Sequence, residues 1–374
     1  MHFFASAAKG TEPALRDELR RLRFRAVRAD RGGVHFEGDW QEGYRACLWS
    51  RVALRVLSPL ASFEAAGERA LYAGVRELDL DFALGGERTL VVSAACRSSR
   101  LTHTQYVSQL TKDAVVDRIR ERSGTRPNVD KRDADVHLFV HLVKDRATVY
   151  IDLAGEPLHR RGYRDPSAEA PLRETLASAL IVYSGWDLTS PLCDPLCGSG
   201  TILIEAALAA RNVAPGLSRQ RFGFERWAGF GPRERDSMQE LRRAAKAAER
   251  ACTARIIGRD VAPQALQAAR ASARRAGVDL DLALGSLREL RAPAPAGSFV
   301  TNPPYGHRLD RGPELQHELV QLVDENPSWN AALLLPAEDD RVRTERRPSS
   351  VRQVFNGDIE CVVRCYSAVA PRDG

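Results

Sequence analysis

The sequence predicts an α/β protein of two or three domains, whose C-terminal half is built around a mostly parallel sheet. The chain has 374 residues, which is too long for one ordinary hydrophobic core. Residues 191–374 alternate apolar strand patterns with helix patterns, as parallel sheets do. At 190–210 a short apolar stretch, a glycine turn and an apolar-periodic stretch follow one another, which indicates a strand, a tight loop and a helix.

Composition predicts a globular protein with a basic surface. Apolar residues make up 44% of the chain, and the formal net charge is 55 − 49 = +6. A basic balance fits a polyanionic partner, although a GC-rich genome gives the same arginine excess. No run approaches the roughly 18–20 apolar residues of a membrane span, and the first residues lack a secretion-signal pattern. Seven cysteines without framework spacing indicate reduced thiols, so we expect a cytoplasmic protein and no membrane partner.

Residues 1–60 are expected to form a small βαβα layer. The pattern predicts a strand over 2–6, a helix over 12–22, a strand over 34–37 and a second helix that carries Tyr44, Leu48, Val52 and Val56. The stretch before the second strand is strongly basic and is either a solvated face or a contact to an RNA backbone. Its arginines are Arg20, Arg21, Arg23, Arg25, Arg28 and Arg31.

Residues 61–155 hold a second α/β unit. The pattern predicts a strand over 89–94, a helix over 105–122 and a hairpin over 136–153 with its turn at 144–146. Three histidines occur here, at 103, 137 and 141, but their spacing crosses strand faces and no cysteine joins them, so we expect no metal site.

This second unit resembles a THUMP domain, an RNA-binding module attached to RNA-modifying enzymes. The resemblance rests on residues 136–164, with Asp145-Arg146-Ala147-Thr148-Val149-Tyr150-Ile151-Asp152-Leu153-Ala154-Gly155 inside them, and on the stretches at 112–117 and 127–130.

Residues 156–253 contain a junction, the glycine turn and an insertion. The junction at 158–164 is basic and aromatic, and a helix is expected to open at Pro171, where a missing N–H costs little. The insertion, at 212–253, interleaves arginine with aromatic residues between 219 and 227. That pattern suits single-stranded RNA, whose bases stack and whose phosphates need positive charge. It equally suits a lid that packs over the sheet edge.

The remainder, to residue 374, continues the alternation. Strands are expected at 255–260, 280–284, 298–301 and 329–335, helices at 262–276 and 314–324, and a last hairpin at 351–355 and 359–369.

Two motifs carry the chemistry. In Asp194-Pro195-Leu196-Cys197-Gly198-Ser199-Gly200-Thr201 the glycines let a ligand approach the backbone, and the helix behind them presents free N–H groups. About a hundred residues later, Asn302-Pro303-Pro304-Tyr305-Gly306 follows an apolar strand. Together these motifs resemble class I S-adenosylmethionine (SAM) methyltransferases that modify an exocyclic amine of a nucleobase.

The resemblance implies a set of cofactor contacts at the carboxyl ends of the strands. Asp194 would meet the SAM ammonium group, and Asp260 would accept the ribose hydroxyls. Family members carry an acid for the adenine amine where this chain has Ser286. The full set predicted to bind SAM is Leu172, Thr175, Asp194, Cys197, Gly198, Ser199, Gly200, Thr201, Glu205, Asp260, Val261, Ser286, Leu287 and Asn302.

A dinucleotide cofactor is disfavoured by the same stretch. Its fingerprint wants a third glycine where this chain has Leu203, and an acid about 20 residues after the turn, whereas Asp260 lies 260 − 200 = 60 residues beyond it.

The predicted catalytic residues are Asn302, Pro303, Pro304 and Tyr305. The Asn302 side-chain oxygen and the Pro303 carbonyl can hold the two hydrogens of an amine, so that its lone pair points at the methyl carbon. The prolines stiffen the loop, Tyr305 offers a stacking face to a flipped base, and alignment is the main catalytic contribution. Covalent catalysis is disfavoured because Cys193, Cys197, Cys361 and Cys365 lie in apparent strands or the ligand loop, where free cysteines are packing residues.

Over nearly its whole length the chain is similar to bacterial 23S rRNA guanine-N2 methyltransferases of the RlmL type. The resemblance implies a ferredoxin-like region at 1–60, a THUMP region at 61–155 and a Rossmann-like SAM methyltransferase at 156–374, with an antiparallel last hairpin. Some members carry a second methyltransferase domain, and this chain is expected to be the short form with guanine-N2 activity only. We expect a monomer acting on RNA. The alternatives are a THUMP enzyme that methylates guanine N2 in tRNA, and an RNA-binding or assembly factor with a vestigial SAM site.

Overall fold

The computed structural model describes residues 1–85, 87–124, 126–130, 133–164, 172–304, 312–338 and 342–369. These residues form two seven-stranded sheets, one in each half of the chain.

The N-terminal sheet has the strand order β2-β3-β1-β4-β7-β6-β5, and all its neighbours are antiparallel except β5 and β6. Its elements are β1 (His2–Ser6), α1 (Glu12–Arg21), β2 (Arg25–Asp30), β3 (Gly33–Glu37), α2 (Trp40–Trp49), β4 (Arg55–Glu64), α3 (Glu68–Arg76), β5 (Leu90–Arg97), α4 (Thr104–Ser123), β6 (Val136–Val143) and β7 (Arg146–Asp152).

Two local predictions in the first sixty residues are wrong. The second helix does not reach Val52 and Val56, because it ends at Trp49 and Val56 belongs to β4. The buried Glu18 carboxylate accepts hydrogen bonds from the Ser50 hydroxyl at 2.6 Å and the Arg51 N–H at 2.8 Å, and these contacts hold the chain outside the helix. The βαβα prediction also lacks β2. That strand is an exposed, bulged edge, so it shows no hydrophobic alternation, and pairing with β3 alone forms it.

β4 connects the two parts of this half. It pairs with β1 on one side and with β7 on the other, so a single sheet and a single core run through residues 1–152. The predicted division at residue 60 falls within β4. The two regions that the sequence predicts to be ferredoxin-like and THUMP are therefore joined by main-chain hydrogen bonds within one sheet.

The C-terminal sheet has the strand order β10-β9-β8-β11-β12-β14-β13. Its first five strands are parallel neighbours and β14 is antiparallel to both β12 and β13, which confirms the mostly parallel sheet and the antiparallel hairpin. The elements are α5 (Glu174–Tyr183), β8 (Leu192–Asp194), α6 (Thr201–Ala210), α7 (Pro232–Ala247), β9 (Ile256–Asp260), α8 (Pro263–Ala276), β10 (Asp281–Leu284), β11 (Gly297–Thr301), α9 (Gly312–Asp324), β12 (Trp329–Pro336), β13 (Ser350–Asn356) and β14 (Ile359–Tyr366).

The insertion between α6 and β9 joins the two halves of the chain. Its rings Phe222, Phe224 and Trp227 are at most 4% exposed and belong to the N-terminal core, where Phe224 stacks on Tyr44 with ring centroids 3.9 Å apart. The Phe224 N–H also donates to the carbonyl of Leu153 at 3.0 Å. These rings are unavailable to bases, so their predicted stacking on single-stranded RNA is wrong. They pack against the N-terminal half rather than over the edge of the C-terminal sheet.

None of the helices in the described ranges is both long enough and apolar enough to span a membrane.

Candidate cofactor and catalytic site

The candidate site lies at the topological switch of the C-terminal sheet. From β8 the chain moves outward to β9 and β10 and then returns to the other side of β8 as β11. Ligands of open α/β sheets bind outside the carboxyl ends of the strands at such a point. Asp194 ends β8, and Asn302 directly follows β11. The fold therefore brings the two motifs, a hundred residues apart in sequence, to one edge of the sheet.

The glycine loop is shaped by two residues with left-handed backbone. Gly198 has φ +52° and Gly200 has φ +79°. A Cβ on Gly200 would lie 3.1 Å from the Cβ of Ala269, so α8 needs a glycine there. A Cβ on Gly198 would meet no atom of the described structure within 4 Å. Gly200 therefore serves packing, while Gly198 borders open space in which a ligand fits.

Asp260 holds the glycine loop as well as facing the site. Its carboxylate accepts from the N–H of Gly198 at 2.9 Å and from the N–H of Ala262 at 2.9 Å, one on each oxygen. Each oxygen keeps a free lone pair, so the group can still accept ribose hydroxyls. Val261, beside it, is a large apolar side chain that is 56% exposed at the same edge. This second role of Asp260 depends on proximity across strands and is invisible in sequence.

Asp194 is a buried carboxyl group at the floor of the site. It is 2% exposed and accepts from the N–H of Leu196 at 3.1 Å. Burial raises the pKa of Asp194 to about 7, and the nearby Asp260 carboxylate acts in the same direction. A cationic ligand group would offset the free-energy cost of ionising the buried carboxyl group, because it favours the ionised carboxylate.

Asn302 carries an acceptor that no described residue satisfies. The residue is half-buried, yet its side-chain oxygen is shielded from solvent and has no hydrogen-bond partner among the described residues. Such a group costs about 1–3 kcal/mol. Pro303 is buried and Pro304 is exposed, while Tyr305 lies outside the described residues.

The entrance of α5 supplies a second unsatisfied group. Thr175 is 2% exposed, and no described residue pairs with its hydroxyl. Leu172 is buried, and its carbonyl accepts from the Arg164 guanidinium. Glu174 lies 3.1 Å from Arg164, and burial raises the pKa of Glu174 to about 7.

Glu205, predicted to bind the cofactor, belongs to an internal network instead. Its side chain is fully buried, and its two oxygens accept from the Tyr163 hydroxyl and the Ser178 hydroxyl at 2.9 Å each. The Arg161 guanidinium lies 3.6 Å away. Because these side chains surround the fully buried carboxylate, we place Glu205 in the packing of the junction against α6, and its cofactor contact stays a prediction.

The remaining predicted contacts lie around the same loop. Ser199 is half-buried and Thr201 is buried at the start of α6. Ser286 opens the turn Leu287–Glu289, and its N–H donates to the Glu289 carboxylate at 3.3 Å. Leu287 itself is only 6% exposed and packs in the core. Sequence reasoning missed Glu289, an acid at this corner, although its Ser-x-x-Glu spacing is a capping signal.

The two cysteines near the loop are packing residues. Cys193 and Cys197 are buried, and burial raises the pKa of both thiols well above the ordinary range. Among the described residues there is also no group of three or more His, Cys, Asp or Glu side chains that could hold a metal ion.

Comparison with known families divides the chain into three matches. The family described as "RMKL-like, methyltransferase domain" matches residues 161–364, the "RlmL ferredoxin-like domain" matches residues 2–57 and the "THUMP domain" matches residues 65–152.

Curated relatives cover nearly all of this chain. The "Ribosomal RNA large subunit methyltransferase K/L" of Syntrophotalea carbinolica is 39% identical over an alignment 373 positions long, which covers 96% of this chain and 52% of the relative. The protein of the same name from Psychromonas ingrahamii is 37% identical over an alignment 378 positions long, which covers 98% of this chain and 50% of the relative. The chain thus spans about half the length of the curated relatives it matches.

Solved structures share the whole architecture. The protein SMU.472, solved in complex with SAH, superposes with a TM-score of 0.88 at 27% identity over 99% of both chains. A possible methylase from Clostridium difficile 630 gives 0.89 at 28% identity, covering 100% of this chain and 99% of its own. A protein from Listeria monocytogenes, named as a predicted N6-adenine-specific DNA methylase, gives 0.86 at 28% identity over 98% of this chain and 96% of its own.

The match at residues 161–364 takes in more than half of the chain, including the glycine loop, Asp260 and Asn302. This protein belongs to the RMKL-like methyltransferase family, with a RlmL-type ferredoxin-like region and a THUMP domain preceding the methyltransferase domain.

Proposed function

We propose that this protein transfers a methyl group from SAM to the exocyclic N2 amine of a guanine in 23S ribosomal RNA. The observation that carries the proposal is the unsatisfied side-chain oxygen of Asn302 at the switch point. A shielded acceptor that no described residue satisfies is matched by a substrate that brings an N–H group.

SAM fits the residues that are present. The space beside Gly198, the exposed Val261 and the buried carboxyl of Asp194 offer room, an apolar contact and a partner for a cationic group. The solved relative in complex with SAH supports the same ligand class. When bound, SAM supplies an electrophilic methyl group on its sulfonium. We propose that Asp194 holds the ammonium group, and that Asp260 accepts the ribose hydroxyls while it anchors Gly198.

The chain's part in the reaction is alignment. An exocyclic amine is a poor nucleophile because its lone pair is delocalised into the ring. Acceptance of its two hydrogens by the Asn302 oxygen and the Pro303 carbonyl directs that lone pair, and Tyr305 is proposed to stack on the base. Because the proton leaves after the methyl group arrives, the step requires no strong general base. Positioning of this kind supplies a large share of many catalytic accelerations.

The choice of RNA rests on the N-terminal half and the relatives. A THUMP domain precedes the methyltransferase domain, and the curated relatives are named for large-subunit ribosomal RNA. Those relatives are about twice as long, so their full activity is not transferred here. A pair of acceptors suits the N6 amine of adenine as well as the N2 amine of guanine, so the pair does not decide the base. The choice of guanine N2 therefore rests on the resemblance to the RlmL type.

The decisive experiment is methylation of ribosomal RNA lacking the modification, with labelled SAM and mass spectrometry of the digested nucleosides. We expect N2-methylguanosine. N6-methyladenosine would keep the site assignment and overturn the base. Absence of both SAM binding and methylation would favour an RNA-binding factor with a vestigial site.

Variants of Asn302 and Tyr305 separate alignment of the amine from binding of SAM and of the base. Asn302→Ala should lower single-turnover kcat on the order of 10²-fold with little change in SAM affinity. Tyr305→Ala should weaken base capture by roughly 1–3 kcal/mol, whereas Tyr305→Phe keeps the stacking face and should be mild. Near-normal turnover in Asn302→Ala would show that another group positions the amine.

A further inference from the structure

A pocket of about 280 Å³ lies where the two halves of the chain meet, and none of the residues predicted to hold SAM lines it. Its walls come from the start of β6, from the junction loop at 154–162 and from insertion residues 218–226. We call it the junction pocket. Its volume is near the lower end of the range of roughly 300–1,000 Å³ typical of small-ligand sites.

The walls of the junction pocket are held by main-chain contacts. The Gly223 N–H donates to the Ala154 carbonyl at 3.1 Å. A Cβ on Gly223 would lie 2.8 Å from the Gly155 nitrogen, so glycine is needed for this close approach. The pocket is therefore a preformed feature of the fold.

The charge of the junction pocket is positive. Five guanidinium groups face two carboxylates, and burial lowers the pKa of His137, which leaves that ring neutral at pH 7. The formal charge of the lining is 5 − 2 = +3, and Asp135 and Glu205, which do not line the pocket but pair with Arg226 and Arg161, reduce the balance to 5 − 4 = +1. The charged lining consists of Arg160, Arg161, Arg219, Arg221, Arg226, Asp133 and Glu156.

Arg219 is the cation that most needs an anion. It donates to the carbonyls of Pro157 at 3.0 Å and Glu156 at 3.0 Å, and no carboxylate of the described chain lies within ion-pair distance of it. Burial lowers the pKa of Arg219, and its guanidinium also donates to the Ala154 carbonyl at 3.3 Å. By contrast, Arg226 is neutralised by Asp133 and Asp135.

Two further arginines are free to reach a ligand. The side chain of Arg160 is 63% exposed and that of Arg221 is 57% exposed. Their partners are Glu156 at 3.2 Å and Asp133 at 3.5 Å, which are solvent-exposed pairs of little energetic value. A phosphate can replace such pairs without leaving a buried charge behind.

A row of rings continues from the junction pocket across the open face of the N-terminal sheet. His137, Phe139 and His141 alternate along β6 and so share one face. Tyr150 on β7 is the cross-strand partner of Phe139 on β6, with ring centroids 6.3 Å apart. His141 is exposed and the other three are half-buried. Rings beside a cationic pocket are the arrangement that binds single-stranded nucleic acid.

We propose that the junction pocket binds a backbone phosphate of a single-stranded RNA segment, whose adjoining bases lie on the row of rings along β6 and β7. This inference rests on the proposed RNA substrate and deepens it. The pocket lies between the THUMP-containing half and the methyltransferase half, so a strand fixed there contacts residues of both halves.

The test uses the full chain and a fluorescein-labelled mixed-sequence single-stranded RNA, with affinity measured by anisotropy at several salt concentrations. The double variant Arg160→Ala/Arg221→Ala should bind on the order of 10-fold more weakly at physiological salt. The slope of log K against log salt should fall by about 0.7 for each lost phosphate contact. Arg235→Ala/Arg243→Ala, on α7 of the same insertion, removes equal charge away from the pocket and should change little. Phe139→Ala should weaken binding on the order of 10-fold with an unchanged salt slope.

The outcomes separate this inference from the proposed function. If the unaltered protein binds no RNA, the RNA substrate itself is wrong. If it binds RNA and both double variants lose affinity equally, the pocket assignment is wrong. If the pocket variant loses binding of GMP or inorganic phosphate but keeps that of RNA, the pocket takes a free ligand and the inference is overturned. The double variant Arg160→Lys/Arg221→Lys keeps both positive charges and should keep the salt slope. It therefore distinguishes the loss of charge from a folding defect.

Discussion

Replacing Asp194 with asparagine should make the folded protein more stable at pH 8 and leave its stability unchanged at pH 3. The carboxyl group is 2% exposed, and burial raises its pKa from 3.8 to about 7. An acid whose folded pKa is raised binds its proton more tightly in the folded state. The free-energy cost of ionising Asp194 in the folded state is therefore absent below about pH 4, grows as the pH rises from about 4 to about 7, and is complete above the folded pKa.

The size of this free-energy cost follows from the shift in the pKa of Asp194. About three pH units correspond to about 4 kcal/mol at ~1.4 kcal/mol per unit. Asparagine is neutral and keeps an oxygen that can accept from the Leu196 N–H, so it should recover most of that free energy at pH 8. The same change removes the proposed partner of the SAM ammonium group, so SAM affinity should fall by about 1.5–3 kcal/mol.

Urea unfolding at pH 3, 5 and 8 measures the effect, with the fluorescence of Trp186 and Trp329 reporting on the C-terminal half. SAM affinity is measured by calorimetry on the same samples. An equal difference in unfolding free energy between variant and parent at all three pH values would refute a titrating Asp194. Full SAM affinity in the variant would remove Asp194 from the cofactor site.

Three further predictions follow from single contacts. Asp260→Ala should weaken SAM binding by about 1.5–3 kcal/mol in calorimetry, because it removes both the ribose acceptor and the anchor of Gly198; unchanged affinity would exclude it from the site. Gly200→Ala should lower the free energy of unfolding by more than Gly185→Ala does. Both glycines have a positive φ, but only a Cβ at position 200 also meets a neighbour, the Cβ of Ala269. Equal losses in urea titrations would contradict this. Phe224→Ala should cost about 3–5 kcal/mol of stability and lower the Tm seen by thermal denaturation, and a small effect would show that the insertion does not brace the N-terminal core.

The burial of the insertion also changes what truncation can show. Removing the N-terminal half would expose Phe222, Phe224 and Trp227, which that half buries. A fragment that starts at residue 156 would therefore lose part of its own packing. RNA recognition is better tested by surface variants in the full chain.

The sequence alone predicted the strands and helices of the C-terminal half, except α7 in the insertion, and it predicted the two motifs at the switch point. These features are local. A glycine turn requires Gly198 and Gly200 in place, an acid ends β9, and Asn302 follows an apolar strand, so a few neighbouring residues specify each of them. The antiparallel last hairpin was predictable for the same reason, because its turn and alternation are contained in one short stretch.

Tertiary structure decided which side chains meet. β2 forms because β3 offers hydrogen bonds, and the rings of the insertion are buried because the N-terminal core covers them. Glu205 is engaged by Tyr163 and Ser178, which no spacing in the chain reveals. The unsatisfied oxygen of Asn302 and the cationic junction pocket likewise depend on what surrounds them. Long-range packing sets burial and hydrogen-bond satisfaction, and these quantities determine whether a polar side chain supports the fold or remains available to a ligand.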